Sequence, residues 1–235
     1  EVAEGRGQLV GVLLDLLATA KQAGAVTMIV SNGSRLDDAR LDELAEHLDW
    51  LTLSVDSASA VTHRRLGRVA GAVEVPYRAI ADGARRRGIR LKLNTVVSRA
   101  NVDEDLSELV AALAPERWKV FQVLPVAGQN DGKVDDLLVS DAELRAFARR
   151  HRSLEDCGVK VVVEDNDDMT GSYAMVDPRG RFFDNAEGRH RYSDPIREIG
   201  LDRAWSQVTF DIARFEHRGG FYDWGPGRRG PFSAS

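Results

Sequence analysis

Over its first two-thirds the chain alternates between two hydrophobic periods. Leu9, Leu13, Leu16, Leu17 and Ala20 recur at helical spacing, which predicts a helix over 6–22 with Gly24 as its C-terminal cap. An apolar run at 25–30 predicts a strand that stops at the turn Ser31-Asn32-Gly33-Ser34. Leu41, Leu44 and Leu48 then share one face of a helix over 37–48. The same exchange repeats down the chain. Strands are predicted at 51–56, 89–97, 117–124 and 159–163, and helices at 73–87, 102–113 and 141–153. Gly88 closes the first of these helices, and the other two open on capping-box spacing, Asn101 with Glu104 and Ser140 with Glu143.

Strands that alternate with helices predict a parallel sheet with right-handed crossovers. Five such strands suit an α/β fold, either a partial or full β/α barrel or an open doubly wound sheet. The Gly-x-Gly-x-x-Gly fingerprint is absent, which lowers the dinucleotide-binding reading. In either architecture ligands bind at the carboxyl ends of the strands. Asn32, Ser54, Asp56, Asn94 and Gln122 all fall there. The expected division is a barrel over 1–164 and an extension over 165–235. That extension is rich in Gly, Arg, Asp and aromatic residues, as in Arg218-Gly219-Gly220-Phe221-Tyr222. Such a segment is either disordered or wraps over the barrel mouth, and its aromatic residues favour partial order.

Two of the strands carry cations where a core is expected. In 91–97, Lys92 and Asn94 point one way, and Leu91, Leu93 and Thr95 the other. In 117–122, Arg117 and Lys119 share a face. Buried cations are costly without an anionic partner, and a polyphosphate is the natural one. The alternative is an internal salt bridge with Asp56, or strand residues facing solvent. The net charge of -5 argues against general nucleic-acid binding, so a small anionic ligand fits better. The single cysteine, Cys157, excludes an internal disulfide and a cysteine-built metal cluster; it reads as a half-buried structural thiol. The five histidines form no zinc-like motif, and no metal ligand is expected. The acidic run 164–168 lacks the glycine and terminal glutamate of a calcium loop and reads as solvated. No apolar run reaches membrane-spanning length.

Several segments together resemble the viperin family of radical S-adenosylmethionine (SAM) enzymes. They are 30–34, 53–57, Gly67-Arg68, Lys92-Leu93-Asn94-Thr95-Val96, 99–105, Arg117-Trp118-Lys119-Val120-Phe121-Gln122, Ser172-Tyr173 and Arg218-Gly219-Gly220. The resemblance implies a partial (β/α)6 TIM-like barrel with an irregular C-terminal extension. It implies reductive cleavage of SAM by a [4Fe–4S] cluster, with an external reductase supplying the electron. The radical so formed converts a nucleoside triphosphate, CTP or UTP, to its 3′-deoxy-3′,4′-didehydro analogue, an antiviral chain terminator. The family's Cys-x-x-x-Cys-x-x-Cys motif and its Gly-Gly-Glu-Pro segment have no counterpart in these 235 residues. The chain reads either as part of a longer protein, with the first barrel strand and the cluster ligands outside it, or as a degenerate member, the first being favoured; a cytoplasmic location is expected.

Residue by residue, Lys92, Arg117 and Lys119 match positions that grip the triphosphate, and Asn94 one at the SAM–nucleotide boundary. Asn32, Ser54 and Arg68 match SAM contacts; Asn32 alternatively belongs to a Ser-Asn-Gly turn. Tyr173 matches a tyrosine near the sugar, where a phenol can donate a proton or hydrogen atom. Arg218 matches a substrate-binding position. His190 stands where many members carry lysine, which implies a different substrate contact. Two other readings stay open: a cluster-free nucleotide-binding protein, and a non-radical barrel enzyme acting on a phosphorylated substrate.

Overall fold

The structure, a computed structural model, describes residues 2–67 and 75–220, with side chains from residue 11 onward. Five strands, β1 (Met28–Ser31), β2 (Trp50–Ser54), β3 (Arg90–Val97), β4 (Arg117–Gln122) and β5 (Lys160–Glu164), form one sheet in chain order. β1, β2 and β3 run parallel in continuous register, Ser31 beside Leu53 and Ser54 beside Asn94. Helix α1 (Val2–Gln22) precedes β1, and helices α2 (Asp38–Ala45), α3 (Ala60–Arg65), α4 (Tyr77–Arg86), α5 (Ser107–Leu113) and α6 (Asp141–Arg150) lie between successive strands along the chain, as α/β topology requires. β1 and β5 do not pair, so among the described residues the sheet is open rather than a closed barrel. The chain divides into two compact units, one of residues 1–95, 103–119 and 149–161, the other of 96–102, 120–148 and 162–235.

In the first unit the core follows the predicted phase. Leu41 and Leu44 of α2, Leu51 and Leu53 of β2, Ile80 and Ala84 of α4, and Leu91 and Leu93 of β3 are all buried. α4 can lie against α2 because Gly83 has no Cβ; an added one would stand 2.8 Å from Leu41 Cδ1. Arg87 then clamps the same pair of helices through Asp42 (2.8 Å) and Asp38 (2.9 Å). Trp118, fully buried, meets the His151 ring edge-on at 5.1 Å. His151 Nε2 accepts the Leu106 N–H at 2.8 Å, an acceptor role that places the ring proton on Nδ1 in the neutral imidazole.

Three local expectations are corrected. α5 begins at Ser107, not near 102, and Asn101 and Glu104 do not form a capping box. The Asn101 side chain instead holds its own turn, accepting from Ser98 N and donating to the Val96 carbonyl. Glu104 accepts from Ser57 Oγ (2.5 Å) and Thr62 Oγ1 (2.6 Å), two buried hydroxyls that outcompete a local N–H. Cys157 is exposed rather than half-buried, because it ends the 3₁₀ turn Arg152–Cys157 just before Gly158. The acidic run is not a solvated loop: Glu164 is fully buried, and Asp165 with Asp168 forms a reciprocal capping box on α7 (Asn166–Met169). The Ser140–Glu143 box stands as predicted, with Ser140 N donating to Glu143 at 2.8 Å and Glu143 N to Ser140 Oγ at 3.3 Å.

The C-terminal part of the second unit carries short elements. β6 (Met175–Val176), β7 (Arg181–Asp184) and β8 (Arg191–Pro195) make an antiparallel sheet, followed by α8 (Ile196–Ile199), α9 (Leu201–Trp205) and α10 (Ile212–His217). Aromatic pairs give this region its order. Phe183 stacks on Tyr192 at 5.6 Å, Phe182 meets Trp205 at 5.1 Å, and Arg181 lies over Tyr192 at 4.3 Å.

Candidate functional site

Parallel partners share a face, so the β2–β3 register places Thr52 with Lys92 and Ser54 with Asn94. Thr95, the next residue, points to the opposite face, where its hydroxyl accepts from Trp118 Nε1 at 2.9 Å. Trp118 therefore lies on the Thr95 face. Alternation then puts its neighbours Arg117 and Lys119 on the face of Lys92 and Asn94. One side of the sheet thus gathers Thr52, Ser54, Lys92, Asn94, Arg117 and Lys119. The cations are 5%, 4% and 3% exposed for Lys92, Arg117 and Lys119. Asp56, also buried, follows β2. Thr52 Oγ1 and Asn94 Oδ1 are out of solvent and have no hydrogen-bond partner. Two orphaned polar atoms are expensive for folding alone, and on a face that also carries three buried cations they suit contact with a polar, anionic group.

The other predicted residues fall elsewhere. Asn32, exposed after β1, closes an Asx turn in which Oδ1 accepts from Ser34 N (3.1 Å) and Ser34 Oγ (2.8 Å). Gly33 in that turn has φ +80°, and a Cβ there would stand 2.9 Å from Val75. Arg68 lies outside the described residues. Gln122 is occupied within its own unit, donating to the Val139 carbonyl and accepting from Asn166 N. His190 sits among the β7–β8 aromatics, edge-on to Phe183 at 5.0 Å and with Nδ1 3.4 Å from the Tyr192 hydroxyl.

Tyr173 and Arg218 come together in the second unit around a residue that sequence reasoning missed. The Tyr173 hydroxyl donates to Glu164 Oε2 at 2.5 Å. Arg218 Nη1 is 3.3 Å from Glu164 Oε1, and Nη2 donates to the Ser172 carbonyl at 2.8 Å. The Arg218 guanidinium lies 3.9 Å over the Tyr173 ring. The signal for Glu164 was its place at the carboxyl end of a strand, hidden by the acidic residues after it. Nearby, burial pushes the Asp168 carboxyl above its ordinary range, and the charges of Asp165 and Glu164 add to this. Tyr173 and Arg218 also line a cavity of about 810 Å³ walled by Trp205, Phe210, Ile212 and Phe215. Gly220 packs on Phe215 so closely that a Cβ would stand 2.4 Å from its carbonyl oxygen.

Among the described residues no group of three or more His, Cys, Asp or Glu is placed to hold a metal ion. None of their helices is long and apolar enough to cross a membrane.

No protein-family model matches the chain. It is 43% identical over 213 residues to an S-adenosylmethionine-dependent nucleotide dehydratase of Lacinutrix mariniflava, covering 89% of this chain and 44% of that one. It is 42% identical to a protein of the same name from Flammeovirga pacifica, covering 89% of this chain and 72% of that one. The chain thus spans less than half of the first relative and under three-quarters of the second. Among solved structures, a domain of pyruvate-formate lyase-activating enzyme from Bacteroides vulgatus superimposes with a TM-score of 0.51 at 16% identity, over 67% of this chain and 92% of that one. That likeness concerns the fold alone. With identities of this size over most of its length, the chain belongs to the viperin family of S-adenosylmethionine-dependent nucleotide dehydratases.

Proposed function

We propose that this chain supplies the nucleotide- and SAM-binding part of a radical SAM enzyme that dehydrates a nucleoside triphosphate, CTP or UTP, to its 3′-deoxy-3′,4′-didehydro analogue. The observation that carries this reading is the buried face of Lys92, Arg117 and Lys119 with the orphaned Thr52 Oγ1 and Asn94 Oδ1. The names of the relatives support the reaction class.

In this reading Lys92, Arg117 and Lys119 bind the triphosphate as charge-assisted donors, within a setting of low dielectric that strengthens each contact. Asn94 and Ser54, adjacent in register on neighbouring strands, orient the sugar and the methionyl or ribose groups of SAM. The role of Tyr173 near the sugar rests on the family resemblance. A [4Fe–4S] cluster needs three thiolates, and the exposed Cys157, the chain's one cysteine, does not fit that ligand set. SAM, if bound here and given one electron by a reductant, would supply a 5′-deoxyadenosyl radical, with methionine as the other product. A reductase for the cluster is a further proposed partner.

The test is calorimetric titration of the protein with CTP, UTP, GTP and ATP, with and without SAM. Selective binding of one pyrimidine triphosphate supports the reading and names the substrate. Binding of a sugar monophosphate with no triphosphate binding would overturn it in favour of a non-radical enzyme.

A further inference from the structure

We propose that Glu164 is the positioning residue for Tyr173, with Arg218 locking the pair. This inference rests on the nucleotide-dehydratase reading and extends it to a residue with no assigned role. Glu164 ends β5 with no exposed surface, at the carboxyl end of its strand, where α/β proteins bind ligands. Its two carboxylate oxygens are divided. Oε2 accepts the Tyr173 hydroxyl at 2.5 Å, and Oε1 faces Arg218 Nη1 at 3.3 Å. Arg218 holds the far side of the phenol by stacking over its ring and is itself fixed to the Ser172 carbonyl. The segment carrying Tyr173 is therefore held from the ring face, from the hydroxyl and from the adjacent backbone.

This arrangement has a chemical consequence, which departs from the donor role that the resemblance implies for Tyr173. The phenol hydrogen is committed to Glu164, so the lone pairs of the Tyr173 oxygen are what a neighbouring group meets. Tyr173 then presents an acceptor of fixed direction on the wall of the cavity that it lines. A sugar hydroxyl is the kind of group such an acceptor orients. A solvated phenol would rotate between donor and acceptor roles; one tied to a buried carboxylate does not.

The experiment is a double-mutant cycle in the full-length, cluster-loaded protein, comparing wild type, Glu164→Gln, Tyr173→Phe and the double variant. Nucleotide affinity is read by calorimetry, turnover by product formation, and the Tyr173 ring by the carbon signal of labelled tyrosine, assigned from its loss in Tyr173→Phe. The expected result is a roughly ten- to hundredfold fall in kcat for Glu164→Gln with KM and nucleotide affinity within about twofold. The Tyr173 signal should shift, and Glu164→Gln should have no further effect once Tyr173 is phenylalanine. Equal losses in both backgrounds, an unmoved tyrosine signal or unchanged kcat would overturn the inference while leaving the dehydratase reading in place. If Glu164→Gln does not fold, Glu164→Asp, which keeps the charge and shortens the reach to the Tyr173 hydroxyl, replaces it in the same cycle, with the same outcomes. A wild-type protein that binds no triphosphate overturns the functional reading, and the inference with it.

Discussion

The indole nitrogen of Trp118 donates to the Thr95 hydroxyl at 2.9 Å, and that hydroxyl donates in turn to the Val55 carbonyl at 2.6 Å. This chain of bonds joins β3 and β4 on the apolar side of the sheet. Because side chains alternate, it also determines that Arg117 and Lys119 turn to the side of Lys92 and Asn94. A contact in the core thereby sets the geometry of a cationic face on which neither Trp118 nor Thr95 lies.

Trp118→Phe tests that dependence. The smaller ring removes the donor to Thr95 and leaves a void beside His151, at a cost of about 1–3 kcal/mol in unfolding free energy. Urea denaturation measures the loss. Triphosphate affinity is expected to fall as well, although no residue of the cationic face has changed.

Lys92→Ala and Arg117→Ala address the face itself. Each removes a charge-assisted donor worth about 1.5–3 kcal/mol, so triphosphate affinity should fall roughly ten- to a hundredfold. Affinity for the unphosphorylated nucleoside should change little. Calorimetry with the matched pair of ligands decides it, and equal losses for both would remove these residues from phosphate binding.

The residues show which parts of this organisation are legible without coordinates. The Ser140–Glu143 box was readable because both partners belong to one turn and meet no competitor. Asn101 and Glu104 have the same spacing, yet Glu104 goes to Ser57 and Thr62, which are more than forty residues away in the chain. Period-two alternation placed Lys92 with Asn94, and Arg117 with Lys119, because a strand admits only two faces. Whether the two pairs shared a side depended on Trp118 and Thr95, a contact across strands. Glu164 and Arg218 are 54 residues apart and meet only through the fold. In the C-terminal region, strands of two to five residues are too short for a period to register, and order comes from aromatic pairs such as Phe183–Tyr192.

Acid should expose the Ser140–Glu143 cap. The Arg99 guanidinium, with the Ser140 N–H and hydroxyl, holds the Glu143 carboxyl down at about 2 against an ordinary 4.5. A carboxyl depressed by folding stabilises fully above its unfolded value, and that contribution is lost as pH falls from 4.5 through 2. In urea titrations across this window, Glu143→Gln should flatten the acid decline of the wild type. Because Glu143 is solvent-facing, the difference should shrink in about 1 M salt.

Thr52 sets stability against binding most directly. Its hydroxyl oxygen is fully buried, pairs with nothing, and sits beside Lys92 in the β2–β3 register. A buried unsatisfied group costs about 1–3 kcal/mol, and valine matches threonine in shape without that cost. Thr52→Val is therefore expected to raise the ligand-free unfolding free energy by about 1 kcal/mol. If the hydroxyl is kept to meet a ligand, the same substitution should weaken SAM or triphosphate binding several-fold. Thermal unfolding and calorimetry on one preparation read both effects. A variant that gains stability and binds as well as wild type would show that Thr52 Oγ1 serves neither ligand, leaving the polar side of this face to Ser54 and Asn94.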